Sequence, residues 1–214
     1  MVTNTFYSFN KCYIIAEIGV NHNGDMNLAK KMIDEAINSG ADAVKFQAFT
    51  AKTLVTKGTP KVEYQKQNTP QNETHFDMIK NLELSRDNHK MLKYYCDKAG
   101  VDFLSTPYDV GSAQFLNTLG VKYFKTASAD IVDIPLQTAI AKTKKPSIIS
   151  IGMATIGEIE KVVKLYRDNK NEDIILLHCV SNYPCDDASL NLNVMNTLNS
   201  VFKITKSVVK GMLK

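Results

Sequence analysis

The 214-residue sequence lacks the features that mark several common classes of protein. Its four cysteines, Cys12, Cys96, Cys179 and Cys185, contain no CxxC pair, which excludes a zinc knuckle and a thioredoxin motif. No apolar run approaches the length of a membrane span, and residues 1–10 lack the pattern of a secretory signal peptide. Reduced thiols are therefore the expected state, and a cytoplasmic location is predicted.

The sequence also lacks a large excess of charge of one sign, because its net charge is only +4. Part of that excess lies in the last twelve residues, where Lys203, Lys206, Lys210 and Lys214 have no acidic neighbour. No basic stripe is interleaved with aromatic residues, so neither nucleic acid nor a membrane is predicted as a partner. The remaining positive charge suits small anionic substrates.

What the sequence does contain is an alternation of short apolar segments with amphipathic ones. The spacing predicts helices over residues 26–39, 87–99, 111–119 and 134–142, and Thr155 with Glu158 predicts a capping box that starts another. Residues 50–74 form a long polar stretch, which is typical of a functional or disordered loop. Strands are predicted over residues 13–18, 43–46, 101–104, 122–124, 147–149 and 174–177.

Short buried strands alternating with helices indicate a parallel α/β fold, either a doubly wound sheet or a (β/α) barrel. No GxGxxG follows the first strand, which weakens the dinucleotide-binding version of the first alternative. Reactive residues at successive strand ends favour a TIM-type barrel, which normally has eight strands and about 250 residues. The sequence therefore predicts an incomplete barrel of about six βα units over residues 1–202, then a basic tail of uncertain structure over 203–214.

Cationic and hydroxyl side chains recur where the predicted strands end: Lys45, Thr106, Lys125, Ser128 and Ser150. A lysine is costly to bury without a partner, so two lysines directed to one place indicate an anionic ligand. Hydroxyl groups are common donors to phosphate oxygens. These residues predict a site for phosphate, or for phosphate with a carboxylate. The alternative is that each lysine pairs with a nearby Asp or Glu.

Other polar residues near the strand ends are less specific. Glu17, Gln47 and Asp130 are suited to orient a polar substrate or to act as acid and base, although Glu17 alone also fits a simple counter-ion. Tyr183, which precedes Pro184, either lines the mouth of the site or packs within a turn.

The four histidines carry open alternatives. His22 and His178 are candidate metal ligands or proton carriers, but a histidine at a strand end is as often a hydrogen-bonded structural residue. His75 and His89 are predicted to lie on solvated faces of helices.

Six motifs in chain order resemble the bacterial sialic acid synthases, including the legionaminic and pseudaminic acid synthases. They are AEIGVNHNG at 16–24, VKFQ at 44–47, LSTP at 104–107, FKTAS at 124–128, SIGM at 150–153 and LHCVSNYP at 177–184. The resemblance implies condensation of phosphoenolpyruvate with the aldehyde of an N-acylated amino sugar, either N-acetylmannosamine or a bacillosamine-type sugar. The products would be a nonulosonic acid, used for surface polysaccharide or glycan biosynthesis, and phosphate.

The resemblance also implies individual roles. Glu17, Lys45 and Lys125 would be catalytic, with C3 of phosphoenolpyruvate attacking the aldehyde and phosphate leaving after water adds to C2. Sugar contacts would come from Gln47, Asp130 and Tyr183. Ser181 stands where some members have an asparagine. The phosphoenolpyruvate contacts would be Lys45, Thr106, Lys125, Ser128, Ser150 and Ser181.

The end of the chain departs from the family pattern. Family members use Mn²⁺ or Mg²⁺, bound by histidines after two further strands, and form homodimers in which an antifreeze-like domain reaches the partner subunit. No such segments follow residue 202, so we expect no metal site in this chain, an uncertain dimer, low stability and little synthase activity. The alternatives are another phosphoenolpyruvate-using 3-deoxy-ald-2-ulosonate synthase barrel, a non-catalytic remnant, or one half of a split enzyme.

Overall fold

The computed structural model describes residues 12–56, 58–61, 73–182, 185–202 and 207–209. The chain divides into two compact units, Met1–Phe115 and Leu116–Lys214. Each unit contains a parallel sheet whose strands follow one another in chain order. Parallel strands with intervening helices confirm the predicted α/β class.

The sheet of the first unit has the order β1-β2-β3. Its register places Glu17 opposite Lys45 and Gln47 opposite Thr106, so the candidate residues of three strands lie at the same end of the sheet. The strands are β1 (Ile15–Gly19), β2 (Ala43–Ala48) and β3 (Asp102–Pro107), and the helices are α1 (Met26–Asn38), α2 (Ala51–Leu54), α3 (His75–Asn81) and α4 (Arg86–Ala99).

The sheet of the second unit has the order β4-β5-β6-β7. Its strands are β4 (Phe124–Thr126), β5 (Ser147–Ser150), β6 (Ile174–His178) and β7 (Ser207–Val209). Helix α5 (Val110–Leu119) precedes β4, and 3₁₀ turns lie at Ser128–Val132 and Asp187–Ser189. The remaining helices are α6 (Ile134–Lys142), α7 (Ile156–Asp168) and α8 (Val194–Phe202).

Local signals explain where the helices begin. The Asp25 carboxylate accepts the backbone N–H groups of Asn27 and Leu28 and so caps α1. Thr155 and Glu158 form the predicted reciprocal capping box at the start of α7.

The core consists of the apolar faces of the strands and helices. In the first unit the rings of Phe46 and Phe103 stack with their centroids 5.6 Å apart. Strands β5 and β6 of the second unit are buried along their whole length, as expected for strands of a parallel sheet covered on both faces. No helix among the described residues combines the length and the apolarity that crossing a membrane requires.

All six predicted strands are present, but the described residues contain one strand more than predicted. Ser207–Val209 forms a seventh strand parallel to β6, within the segment that the sequence marks as a tail of uncertain structure. Helix α8 was not predicted either, and α2 lies inside the predicted loop over residues 50–74. Residues 62–72 of that loop lie outside the described part of the chain.

Candidate functional site

The first group of candidate residues, named here the Lys45 cluster, consists of Glu17, Lys45 and Thr106. The Lys45 side chain is only 7% exposed and forms an ion pair with the Glu17 carboxylate, whose side chain is 30% exposed. The Lys45 ammonium also donates to the Thr106 hydroxyl at 3.2 Å. The buried cation is therefore balanced by a carboxylate from the adjacent strand, which is the alternative that the sequence left open for each lysine.

Gln47 lies beside this cluster, half-buried near the end of β2. A Cβ built on Gly19 would lie 3.3 Å from Glu17 Oε1 and 3.6 Å from Gln47 Nε2, so the carboxylate and the amide both face that glycine. Gly19 has a φ of 57°, in the left-handed region that favours glycine. The turn after β1 thus needs glycine for its conformation, and the glycine also leaves room for both polar groups.

The second group, named here the Lys125 cluster, consists of Lys125, Ser128, Ser150 and Ser181. Lys125, the middle residue of β4, is 5% exposed, and Ser150, the last residue of β5, is 4% exposed. The Lys125 ammonium donates to the Thr126 carbonyl at 2.7 Å and to the Ser150 hydroxyl. A buried ammonium next to hydroxyl groups is a combination that binds phosphate and carboxylate oxygens.

Gly152 brings the other two serines of this cluster together. The Ser128 hydroxyl accepts the Gly152 N–H at 3.1 Å. A Cβ built on Gly152 would lie 2.8 Å from Ser128 Oγ and 2.8 Å from Ser181 Oγ, so the two oxygens are separated by no more than twice that distance. Ser181 is exposed and Ser128 is half-buried, which leaves both hydroxyls near solvent.

Asp130 lies in the 3₁₀ turn that also carries Ser128. Its Oδ2 atom is buried, and no hydrogen-bond partner for it exists among the described residues. Burial, followed by the nearby Asp133 carboxylate, raises the pKa of Asp130 to about 6, against the opposing effects of the Ala127 backbone and Lys125. This carboxyl group can therefore gain or lose a proton close to neutral pH.

Two buried polar residues that sequence reasoning missed support this turn. Gln137 Nε2 donates to the Asp130 carbonyl at 2.9 Å, and the Tyr166 hydroxyl donates to Gln137 Oε1 at 3.1 Å. Both side chains are fully buried. A glutamine among the apolar residues of α6 was the available signal, because a buried amide needs partners on both its nitrogen and its oxygen.

Comparison with known proteins identifies the family. Residues 32–208 match the sequence profile described as the NeuB family, which is well over half of the chain. This chain belongs to the NeuB family.

Two relatives within the NeuB family are named N,N'-diacetyllegionaminic acid synthase. The protein from Legionella pneumophila is 46% identical over 197 residues and the one from Campylobacter jejuni 45% over 196, with 90% and 91% of this chain covered. This chain spans 55% and 59% of their lengths. It also superposes on the crystal structure of N-acetylneuraminic acid synthetase from Leptospira borgpetersenii with a TM-score of 0.78 and 35% identity, covering 94% of this chain and 65% of that one.

His22 and His178 have structural hydrogen bonds in this NeuB family chain. The Gly24 N–H donates to His22 Nδ1 at 2.9 Å, and the ring also bonds to the Gly19 backbone. Burial, followed by the charge of His89, lowers the pKa of His22. His178 Nε2 lies 2.6 Å from the Leu190 carbonyl. Both rings hold the chain that follows their strands.

The prediction that His89 lies on a solvated helix face is wrong. His89 is 2% exposed, and its ring contacts the Ser85 carbonyl at 3.0 Å and the Ser105 hydroxyl at 3.3 Å. Burial lowers its pKa, so the neutral ring is favoured. The helical pattern placed His89 on the polar face, but α4 turns that position toward Phe103 and Phe115.

One predicted site residue of this NeuB family chain has no described geometry. Tyr183 lies outside the described residues, as does most of the predicted tail. Within the described part of the chain, no three His, Cys, Asp or Glu side chains come together as metal ligands.

Proposed function

We propose that this chain provides phosphoenolpyruvate-binding residues of a nonulosonic acid synthase, which joins phosphoenolpyruvate to an N-acylated amino sugar and releases phosphate. The observation that carries the proposal is the pair of buried strand lysines, each of which donates to a hydroxyl of the neighbouring strand: Lys45 to Thr106 and Lys125 to Ser150. The names of the Legionella and Campylobacter relatives, both N,N'-diacetyllegionaminic acid synthases, support a diacetylated nonulosonic acid as the product.

Phosphoenolpyruvate is a compact anion with a phosphate and a carboxylate group. Ammonium groups and hydroxyls that are already in place bind such an anion without reorganisation at the moment of reaction. We assign Lys45, Thr106, Lys125, Ser128, Ser150 and Ser181 to this ligand, with Lys45, Lys125 and Glu17 acting in catalysis. The Glu17 carboxylate of β1 pairs with the Lys45 ammonium from the middle of β2, which keeps that cation in one position.

The sugar-side residues in this proposal are Gln47, Asp130 and Tyr183. A half-buried amide such as that of Gln47 is suited to hydrogen-bond a sugar hydroxyl. Asp130, with a pKa of about 6, is suited to donate a proton to the aldehyde oxygen as the carbon–carbon bond forms. The divalent metal that the resemblance implies is assigned no ligand among the described residues and no step.

We also propose the barrel arrangement for this α/β fold. Within each sheet the described strands are parallel and follow chain order, as successive strands of a (β/α) barrel do.

The first experiment measures phosphoenolpyruvate binding by calorimetry, with Lys125→Met as the variant. We expect binding by the wild-type chain and a loss of about tenfold or more in affinity for Lys125→Met, because a charge-assisted contact is removed. Lys142→Met is the matched control, since Lys142 is an exposed lysine in the last turn of α6. A wild-type chain that does not bind, or equal effects of the two variants, would contradict the proposal.

The second measurement is phosphate release from phosphoenolpyruvate in the presence of Mn²⁺ and either N-acetylmannosamine or a bacillosamine-type sugar. The sequence-based expectation of low turnover is tested by this assay on the 214-residue chain. Rapid, sugar-dependent release would show that the low-activity expectation is wrong and would establish the reaction for this chain.

A further inference from the structure

The turn after β5 has its glycine at a position where the backbone conformation does not require one. The Ala154 N–H donates to the Ile151 carbonyl at 3.2 Å, which closes a four-residue turn. Met153 has a φ of 64°, in the left-handed region that favours glycine, whereas Gly152 is not among the residues with positive φ. The conformation alone would favour glycine at position 153 and would admit an ordinary residue at 152.

Space explains the glycine at position 152. A Cβ there would lie 2.8 Å from each of the Ser128 and Ser181 hydroxyl oxygens and 3.3 Å from the Cys179 carbonyl oxygen. The first two distances are shorter than real Cβ contacts, so both hydroxyls, or the turn itself, would have to move. Ser128 follows β4 and Ser181 follows β6, the two strands that flank β5. Both side chains therefore lie against the glycine that follows β5.

The hydrogen bond from Gly152 also orients one of these hydroxyls. Ser128 Oγ accepts the Gly152 N–H at 3.1 Å, and this bond uses a lone pair of the oxygen. The hydroxyl hydrogen of Ser128 therefore remains available to donate to another acceptor. Ser181, which is exposed, faces the same glycine from the opposite neighbour strand.

We propose that Gly152 is a positioning residue, whose missing side chain lets the Ser128 and Ser181 hydroxyls donate to one anionic group of a ligand. The inference rests on the proposed phosphoenolpyruvate binding and adds a residue whose own atoms carry no charge. Met153 is consistent with this proposal. The turn has a non-glycine residue at position 153, where φ is positive, and has its glycine at position 152, where a side chain would meet the two hydroxyls. The side chain of Met153 is 74% exposed, so core packing does not explain its place in the turn.

The test compares Gly152→Ala with Gly157→Ala by calorimetric titration with phosphoenolpyruvate. Gly157 is the matched control, because it lies in the first turn of α7 and a Cβ there would meet no atom within 4 Å. We expect Gly152→Ala to weaken binding by about tenfold, as the loss of hydrogen bonds to a charged group would. Gly157→Ala should leave the affinity unchanged. A Gly152→Ala variant with wild-type affinity would overturn the inference.

A double-mutant cycle separates positioning from a general structural effect. In a Ser128→Ala/Ser181→Ala background the hydroxyls are absent, so adding Gly152→Ala should change the affinity by less than about twofold. An equal loss in both backgrounds would show that Gly152 acts in some other way and would overturn the inference. A thermal melt of each variant identifies any that do not fold.

If Gly152→Ala does not fold, the two serine variants still provide a test. Hydroxyls that bind one ligand group should have non-additive effects on affinity when Ser128→Ala and Ser181→Ala are combined, and strict additivity would overturn the inference. A wild-type chain that does not bind phosphoenolpyruvate would overturn the proposed function together with this inference. Wild-type binding that Gly152→Ala leaves intact would overturn the inference alone.

Discussion

The Lys45 and Lys125 clusters each contain a buried lysine on a parallel strand, but the two lysines have different partners. Lys45 forms an ion pair with Glu17 from the adjacent strand, whereas Lys125 donates to the Thr126 carbonyl and the Ser150 hydroxyl. A ligand that approaches Lys45 must compete with a carboxylate that is already bound. The comparison shows that the same residue type at the same kind of position can be held in two electrostatic environments.

The largest expected effect on stability comes from a substitution that breaks the ion pair of the Lys45 cluster. Glu17→Ala should lower the free energy of unfolding by about 2 kcal/mol, because it leaves the Lys45 ammonium buried without its carboxylate, although the exposure of Glu17 reduces the cost. Urea denaturation measures the change. Asp168→Ala is the control, because its ion pair with Lys164 is exposed and should contribute under about 0.5 kcal/mol. Equal effects of the two variants would remove the distinction between the clusters.

A smaller effect is expected in the Lys125 cluster. Ser150→Ala should cost about 1 kcal/mol, since Lys125 loses one neutral hydrogen-bond partner and keeps the Thr126 carbonyl. Ser200→Ala, which removes an exposed hydroxyl from α8, should have almost no effect under the same denaturation conditions. A cost for Ser150→Ala above that of Glu17→Ala would reverse the proposed order of the clusters.

The smallest effect depends on pH and concerns Asp130. Because the folded protein raises the pKa of Asp130 from 3.8 to about 6, the stability that its protonated form contributes is present below pH 3.8 and is lost as the pH rises through 6. Asp130→Asn should therefore stabilise the protein at pH 8 by under about 1 kcal/mol, after allowing for solvent screening, and the gain should diminish toward pH 4.

Thermal melts of the wild type and the variant across this pH range measure the difference. Asp186→Asn is the matched control for the chemical change, because Asp186 is an exposed aspartate of the same unit. A gain for Asp130→Asn that is independent of pH would show that the carboxyl group is not the cause.

The elements with strong periodic patterns could be predicted from the sequence, and the short ones near the end of the chain could not. Six strands and the capping box at Thr155 followed from the apolar pattern and from local hydrogen bonding. Helix α8 was missed although Val194, Leu198 and Phe202 have helical spacing. Strand β7 has three residues between Lys206 and Lys210, and its pairing with β6 is a long-range contact that no local pattern records.

The sequence by itself determined the α/β class and placed both lysines in the neighbourhood of strands, because both follow from the period of apolar residues. It predicted Lys45 at the end of a strand, whereas the structure extends β2 to Ala48. Only the tertiary structure decided which groups meet: Glu17 with Lys45, Gln137 with Tyr166, and Ser128 with Ser181 over Gly152. Burial and the register between strands set those contacts. Neither is contained in the local order of residues, since each depends on segments that are distant along the chain.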